Sequence, residues 1–254
     1  MSTQGTLLAP SAAPTSTGLR VAGLLGLRLT LFAAFQALIA AILAAGGSAE
    51  PWADSAAWWP LAATAANLVN LAVLARFCHA NGIRLRDFYR FRRTGWRKDL
   101  GLAVLTTAAA APLAALPNLG LATALLGSPQ AALEMFTRPL PLWAAIAAVV
   151  LFPVTTALAE LPTYYGYVRP RLEALTGSAA VAVGLAALVH SLQHVALPLI
   201  FDGGFMTWRA LMFLPFALLL AVVLRRRPAL LPYLLVVHFL LDFQAAVMVL
   251  QVSL

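Results

Sequence analysis

The sequence predicts an all-α integral membrane protein, a polytopic helical bundle of about seven transmembrane helices. Two observations lead to this fold class: 62% of the 254 residues are hydrophobic, and only 10% are charged. A soluble domain carries about 25% charged residues, so this chain lacks the charged coat that water requires. Its apolar residues also form long runs, close to the ~20 residues with which a helix crosses a bilayer.

Seven apolar runs define a single membrane domain over residues 21–254. The predicted spans are 21–45, 56–78, 100–126, 140–168, 179–201, 209–224 and 229–251. Helices are predicted because an open strand edge would leave unpaired backbone groups in lipid. Residues 1–20 are small and polar, which predicts a disordered cytoplasmic tail. The first run exceeds the about 7–15 residues of a signal-peptide core, which favours a retained span over a cleaved one.

The basic residues predict the orientation of the bundle. Arginine clusters occur in the loop 81–99, at 169–171 and at 225–227. With seven spans, 15 of the 17 basic residues fall on one side of the membrane, and only Arg138 and Arg209 fall on the other. Basic loops stay in the cytoplasm. We therefore expect a multi-pass protein of the cell membrane with its N-terminus in the cytoplasm.

The net charge of +8 raises nucleic-acid binding as a function class. The basic residues lie between apolar spans, where they act as topology signals, so no nucleic-acid partner is predicted. Aromatic residues alternate with arginines in the loop 81–99, which predicts a segment lying on the headgroups of the membrane lipid. The single cysteine, Cys78, excludes a disulfide framework and disfavours a cysteine-based metal site.

Ionisable residues inside the spans are the candidate functional residues, because each costs roughly 2.5–3.5 kcal/mol to insert. In chain order they are Glu160, His190, His194, His238 and Asp242. Residues four apart share one helix face, and in lipid such a polar face turns toward other helices or toward water. We expect Glu160, His194 and His238 to converge on one cavity that opens to the cytoplasmic side.

A carboxylate beside two imidazoles is suited to activating water, with the carboxylate as general base. The same residue types relay protons through transporters, so a proton-coupled transporter is an alternative function. The sequence has no convincing internal repeat of the kind that many transporters carry, which argues mildly against this alternative.

The five residues fall in three short motifs along the chain. The first is the stretch Glu160–Glu173, the second is His190 with His194, and the third is His238 with Asp242. They resemble the motifs Glu-Glu-x-x-x-Arg-Gly with a following Pro-Arg-Leu, Phe-x-x-x-His, and His-x-x-x-Asn or Asp. Those are the motifs of the CPBP family of intramembrane proteases, which includes type II CAAX prenyl proteases and bacteriocin-processing proteins.

The resemblance covers about residues 100–250 and implies an intramembrane endopeptidase whose substrate is a membrane-associated peptide or lipidated protein. The family's roles imply that Glu160 and His194 activate water, and that His238 and Asp242 stabilise the oxyanion. The family has been described both as metalloproteases and as glutamic proteases. For a metalloprotease-like mechanism the same four side chains would be the metal ligands, and two His with two carboxylates would suit zinc.

The sequence departs from the family motifs at three positions. Leu161 replaces the second Glu, Tyr165 replaces the motif Arg, and His190 replaces the motif Phe. The departures at Leu161 and Tyr165 favour a second alternative, a family member that has lost catalysis and acts as a binding or immunity protein. His190 is expected to be a helix–helix hydrogen-bond partner, and Tyr164, Tyr165 and Tyr167 are expected to be interfacial aromatics.

Overall fold

The computed structural model describes residues 14–254, with side chains from Thr17 onward. All regular structure in this part of the chain is helical. Its α-helices are α1 (Pro14–Ala45), α2 (Pro51–Ser55), α3 (Trp59–Ala80), α4 (Trp96–Leu126), α5 (Pro129–Phe136), α6 (Leu142–Leu161), α7 (Arg169–Thr176), α8 (Ala179–Leu192), α9 (Gly203–Leu211), α10 (Leu214–Arg226) and α11 (Leu231–Ser253). Short 3₁₀ turns lie at Ala56–Trp58, Leu85–Tyr89, Gln193–Ala196 and Pro228–Leu230, and a π-helix joins α6 to α7 at Pro162–Val168.

Seven helical stretches of the described chain are long and apolar enough to cross a membrane, which confirms the predicted fold class. They are Thr17–Ala45, Pro51–Ala80, Trp96–Leu126, Leu142–Thr176, Ala179–Ala196, Gly203–Arg226 and Pro228–Ser253. The fourth is longer than predicted, because α6, the π-helix and α7 follow one another without a break. The fifth is shorter, because the chain leaves the helical conformation after Ala196.

The burial pattern is that of a membrane protein. Leu105, Leu116 and Trp143 are about two-thirds exposed on the outer surface of the spans, whereas Glu160 and Arg28 are buried inside. A large exposed apolar surface is a liability in water and marks contact with lipid. Ionisable residues of membrane spans, by contrast, face the interior of the bundle.

The first helix begins earlier than the sequence predicts. α1 starts at Pro14, so part of the predicted tail is helical, while residues 1–13 lie outside the described residues. α1 packs along α3 and also contacts α8. The first span is therefore an integral part of the bundle described here.

The two ends of the bundle differ in character. The basic end carries the segment 81–95, α7 and the α10–α11 junction. The opposite end carries α2, α5 and the residues 197–202 between α8 and α9. α6 lies between α3 and α11, and Glu160 is one residue from its end. Glu160 therefore lies inside the bundle, between the two ends.

A proline shapes the chain just after Glu160. Pro162 has no N–H to donate to the carbonyl of Leu158, four residues earlier, and the hydroxyl of Tyr89 donates to that carbonyl instead (3.0 Å). The following turn is a π-helix, a feature that is frequent at functional sites. The wider turn brings Tyr164, Tyr165 and Tyr167 into the core, each at most 2% exposed, so the prediction that they are interfacial is wrong.

The segment 81–95 does not simply lie on the membrane surface. Its 3₁₀ turn packs into the bundle, where the ring of Phe88 approaches Gly166 so closely that a Cβ there would lie 3.1 Å from it. Burial raises the pKa of Tyr89 above its ordinary value, so its hydroxyl stays protonated and can donate to Leu158. Part of the segment is therefore buried against the bundle, and the location of its exposed arginines on lipid headgroups stays a prediction.

Candidate active site

The carboxylate of Glu160 is 2% exposed and lies at the convergence of three spans besides its own. Its Oε2 accepts hydrogen bonds from Arg28 Nη2 (2.7 Å) and from Gln193 Nε2 (2.8 Å). Its Oε1 lies 2.7 Å from His190 Nε2 and 3.0 Å from His238 Nε2. Both oxygens of this carboxylate are therefore surrounded by nitrogen atoms.

Arg28, the cationic partner of Glu160, comes from α1 and is completely buried. Its Nε donates to Gln193 Oε1 (2.7 Å), and its Nη1 donates to Asn67 Oδ1. The hydroxyl of Tyr164 also donates to Gln193 Oε1 (3.0 Å), which fixes the orientation of that amide. A buried charge is tolerated when it is paired and further hydrogen-bonded, and each of the three guanidinium nitrogens of Arg28 has an acceptor.

His190 connects Glu160 to a tyrosine of the π-helix. The Tyr165 hydroxyl lies 2.6 Å from His190 Nδ1 and 3.0 Å from the carbonyl oxygen of Ala217. A carbonyl only accepts, so the hydroxyl donates to Ala217 and holds the ring of His190 through the shorter contact at Nδ1. An ionised carboxylate also only accepts, so His190 carries a hydrogen on Nε2 and donates it to Glu160 Oε1. His190 is a helix–helix partner, as predicted, but its partner is the candidate catalytic carboxylate itself.

His194 is half-buried at the end of α8, and its two ring nitrogens have different roles. Nδ1 lies 3.1 Å from the carbonyl oxygen of Ser191. A carbonyl only accepts, so Nδ1 carries a hydrogen, and Nε2 is the ring nitrogen that Ser191 leaves free. The ring lies against Phe213, with 4.5 Å between ring centroids. The orientation of the His194 ring is therefore fixed from both sides.

His238 and Asp242 lie four residues apart on α11. His238 Nε2 is 3.0 Å from Glu160 Oε1 and 3.4 Å from Asp242 Oδ2, but neither contact has the geometry of a hydrogen bond. Among the described residues, both ring nitrogens of His238 and the Oδ2 of Asp242 lack a hydrogen-bond partner. Buried polar atoms are normally paired, so these are the groups best placed to bind an added molecule.

One cavity of about 380 Å³ joins these residues. The four predicted site residues line it, together with His190: they are Glu160, His194, His238 and Asp242. Its remaining wall includes Trp59, Leu133 of α5 and Leu197. These three belong to the end opposite the segment 81–95. The predicted convergence is therefore observed, but the prediction that the cavity opens toward the arginine-rich end is wrong.

The predicted zinc site does not fit this arrangement. Among the described residues, the group with ligand atoms close enough for one ion is Glu160, His190 and His194, within 4.8 Å of one another. It differs from the predicted ligand set, which contained His238 and Asp242. The guanidinium of Arg28 also occupies Oε2 of Glu160, and a second cation at that carboxylate would be repelled. The reaction proposed below therefore uses no metal ion.

Comparisons of the chain with models of protein families, with curated proteins and with solved structures found no match. The resemblance of the three motifs to those of a known family therefore stays a prediction.

Sequence reasoning missed Arg28 and the amide residues of this site. Arg28 was counted among the basic residues of the cytoplasmic side, yet it lies within the first apolar run and is buried. Gln193 stands between the two histidines of the second motif, and Asn67 interrupts the second span. A polar residue inside an apolar run requires a partner, so each of the three positions indicated that a polar contact exists. The sequence could not indicate which span supplies the partner.

Proposed function

We propose that this protein is an intramembrane endopeptidase that cleaves a peptide bond of a membrane-associated peptide or lipidated protein. The observation that carries the proposal is the shared cavity, in which Glu160, His194 and His238 meet inside a membrane bundle. Hydrolysis in such a place needs a base, an oxyanion donor and a space for the substrate. The cavity offers each of the three.

In the proposed reaction, water lies between the carboxylate of Glu160 and the ring of His194, whose ligand atoms are within 4.8 Å of each other. As the water oxygen attacks the carbonyl carbon of the substrate, its proton passes to Glu160. The negative charge that develops on the substrate oxygen is stabilised by a hydrogen of His238, which has no other hydrogen-bond partner among the described residues. The C–N bond then breaks, and Glu160 returns the proton to the leaving amine.

Arg28 and Gln193 have a positioning role in this scheme. Both bind Oε2, which leaves Oε1 directed toward His190 and His238. In the resembled family an arginine follows the motif glutamate, and here Tyr165 stands at that position. The cation is supplied instead by Arg28 of α1, so the departure at Tyr165 does not leave Glu160 without a charged partner.

A second candidate function is binding without catalysis, and the same ion pair favours it. Glu160 has an arginine, an amide and an imidazole as direct hydrogen-bond partners. These donors come from α1, from α8 and from the turn that follows α8, so they tie the carboxylate to its neighbouring helices. The network could then serve to hold α1, α6 and α8 together around a ligand cavity.

The two functions are separated by Glu160→Gln, measured as cleavage of a lipidated peptide library by purified protein. General-base catalysis contributes about 10²–10⁴-fold, so cleavage should fall by at least the lower factor. His194→Ala should lose a similar amount, and the double variant little more, because residues that act as a unit are not additive. The family motif has Phe at position 190, which alone predicts that His190→Phe is nearly silent. Because the structure shows that His190 binds Glu160, we expect the exchange to reduce cleavage.

The matched control is Glu173→Gln, the same exchange at a carboxylate of the basic end. It should retain full cleavage at an equal protein level. Unchanged cleavage by Glu160→Gln would eliminate the proposed base and leave the binding function in its place.

A further inference from the structure

A second cavity, of about 280 Å³, lies at the basic end and is separate from the one that contains Glu160. Its walls come from the segment 81–95, the π-helix with the start of α7, and the α10–α11 junction. Most of the lining is apolar, with Phe88, Leu224 and Pro232 as examples. The proposed peptidase reaction does not use this cavity.

The charged residues that line this basic-end cavity are Arg90, Arg169 and Asp87. The side chain of Arg169 is only 6% exposed, and its Nε has no hydrogen-bond partner among the described residues. Its Nη1 binds Glu173 (3.1 Å), but Glu173 is shared with Arg225. The positive charge of Arg169 is therefore incompletely neutralised at the cavity wall.

The remaining charges around the cavity leave an excess of positive charge. Asp87 is the one carboxylate among the lining residues, and it lies 3.4 Å from Arg84 and 3.5 Å from Arg90. Two further exposed arginines, Arg86 and Arg93, lie close by in sequence. An apolar cavity with a cationic rim, at the end of a membrane-spanning bundle, has the composition that suits an acyl chain below an anionic headgroup.

We propose that the basic-end cavity binds an anionic phospholipid. The phosphate lies between Arg169 and Arg90, and the first part of an acyl chain lies against Leu224 and Pro232. The site is independent of the peptidase proposal, because none of these four residues lines the cavity around Glu160.

Residues of the segment 81–95 contact both the basic-end cavity and the end of α6, the helix that carries Glu160. Phe88 lines the basic-end cavity and packs against Gly166 of the π-helix. Its neighbour Tyr89 donates to the carbonyl of Leu158, two residues before Glu160. A lipid that orders this segment would therefore also stabilise the end of α6.

The experiment compares phosphatidylglycerol with phosphatidylcholine, added to the full-length protein purified in neutral detergent. Lipid retention is measured by native mass spectrometry, and the unfolding temperature is measured in the same samples. The unsubstituted protein should retain phosphatidylglycerol preferentially and unfold at a higher temperature with it. Arg169→Gln should lower the affinity for phosphatidylglycerol about fivefold, the share of one basic residue near a membrane surface.

The matched control is Arg226→Gln, because Arg226 is an exposed arginine of the same end that does not line the cavity. It should keep the preference for phosphatidylglycerol. Ala229→Phe fills the cavity without changing charge and should lose retention as Arg169→Gln does. An equal loss in Arg226→Gln would show general charge attraction and overturn the proposal. So would an unsubstituted protein without lipid preference, or one stabilised equally by soluble glycerol phosphate.

Discussion

Arg28 and Arg209 are two of the buried arginines of the bundle, which accommodates them in different ways. Arg28, near the middle of the membrane domain, forms an ion pair with Glu160. Arg209, toward the opposite end, has no carboxylate partner among the described residues. Its Nε and Nη2 donate to the carbonyl oxygens of His194 (3.2 Å) and Leu197 (2.6 Å).

The surroundings of Arg209 explain how its charge is tolerated. Its guanidinium lies 4.7 Å from the ring centroid of Phe136 and 5.5 Å from that of Trp208, and aromatic faces attract cations. The 3₁₀ turn that carries His194 ends α8 at this point and exposes carbonyl groups to which Arg209 can donate. Arg28 thus holds Glu160, the candidate base, and Arg209 holds the turn that carries His194.

Among the substitutions that test this comparison, the one at Arg28 should have the largest effect on stability. Arg28→Leu removes one partner of a buried ion pair and leaves Glu160 without its arginine, which costs about 3–5 kcal/mol in free energy of unfolding. Thermal unfolding in detergent measures the loss. Adding Glu160→Gln should recover part of it, since the orphaned charge is then gone. A double variant no more stable than Arg28→Leu would contradict the ion-pair account.

Arg209→Leu is expected to be milder. It leaves the carbonyl oxygens of His194 and Leu197 without their donor but creates no unpaired charge, so the cost is about 1–3 kcal/mol. Arg138→Leu is the control, because Arg138 donates to a carbonyl (Ala53, 3.0 Å) while only half-buried. Its unfolding temperature should change less. If Arg209→Leu is as damaging as Arg28→Leu, the two sites do not differ as described.

The smallest of these effects is expected at Tyr165, the hydroxyl that orients His190. Tyr165→Phe removes the hydroxyl and its hydrogen bonds, each worth about 0.5–1.5 kcal/mol net, and should lower cleavage more than it lowers stability because His190 loses the contact that holds its ring. Tyr233→Phe is the control: Tyr233 makes a long contact of 3.5 Å to the carbonyl oxygen of Trp96. Equal cleavage by the two variants would mean that Tyr165 does not position His190.

The fold could be predicted from the sequence because membrane spans follow from length and apolarity, which are local properties. The site was predicted in part for a similar reason: spacing by four residues put His190 with His194 and His238 with Asp242. Arg28 was missed because an arginine in the first half of a span looks the same as a topology signal.

The direction of the cavity also could not be predicted from the sequence. It depends on which residues line the space beyond Glu160, and these come from α5 and from Leu197, regions without charged motifs. The turn in which Tyr89 replaces a missing backbone donor was equally hidden. Pro162 shows that the carbonyl of Leu158 lacks its usual backbone donor. It does not show that the hydroxyl of Tyr89, on the segment between α3 and α4, donates to that carbonyl instead.

The ion pair between Arg28 and Glu160 has a consequence for how the protein is made. The two residues are 132 positions apart, so α1 is synthesised and inserted long before its carboxylate partner exists. During that interval Arg28 faces lipid or the insertion machinery alone, at a cost of roughly 2.5–3.5 kcal/mol for a residue at the centre of a helix. The apolar residues of α1 must hold it in the membrane until α6 arrives and the chain can assemble around the pair.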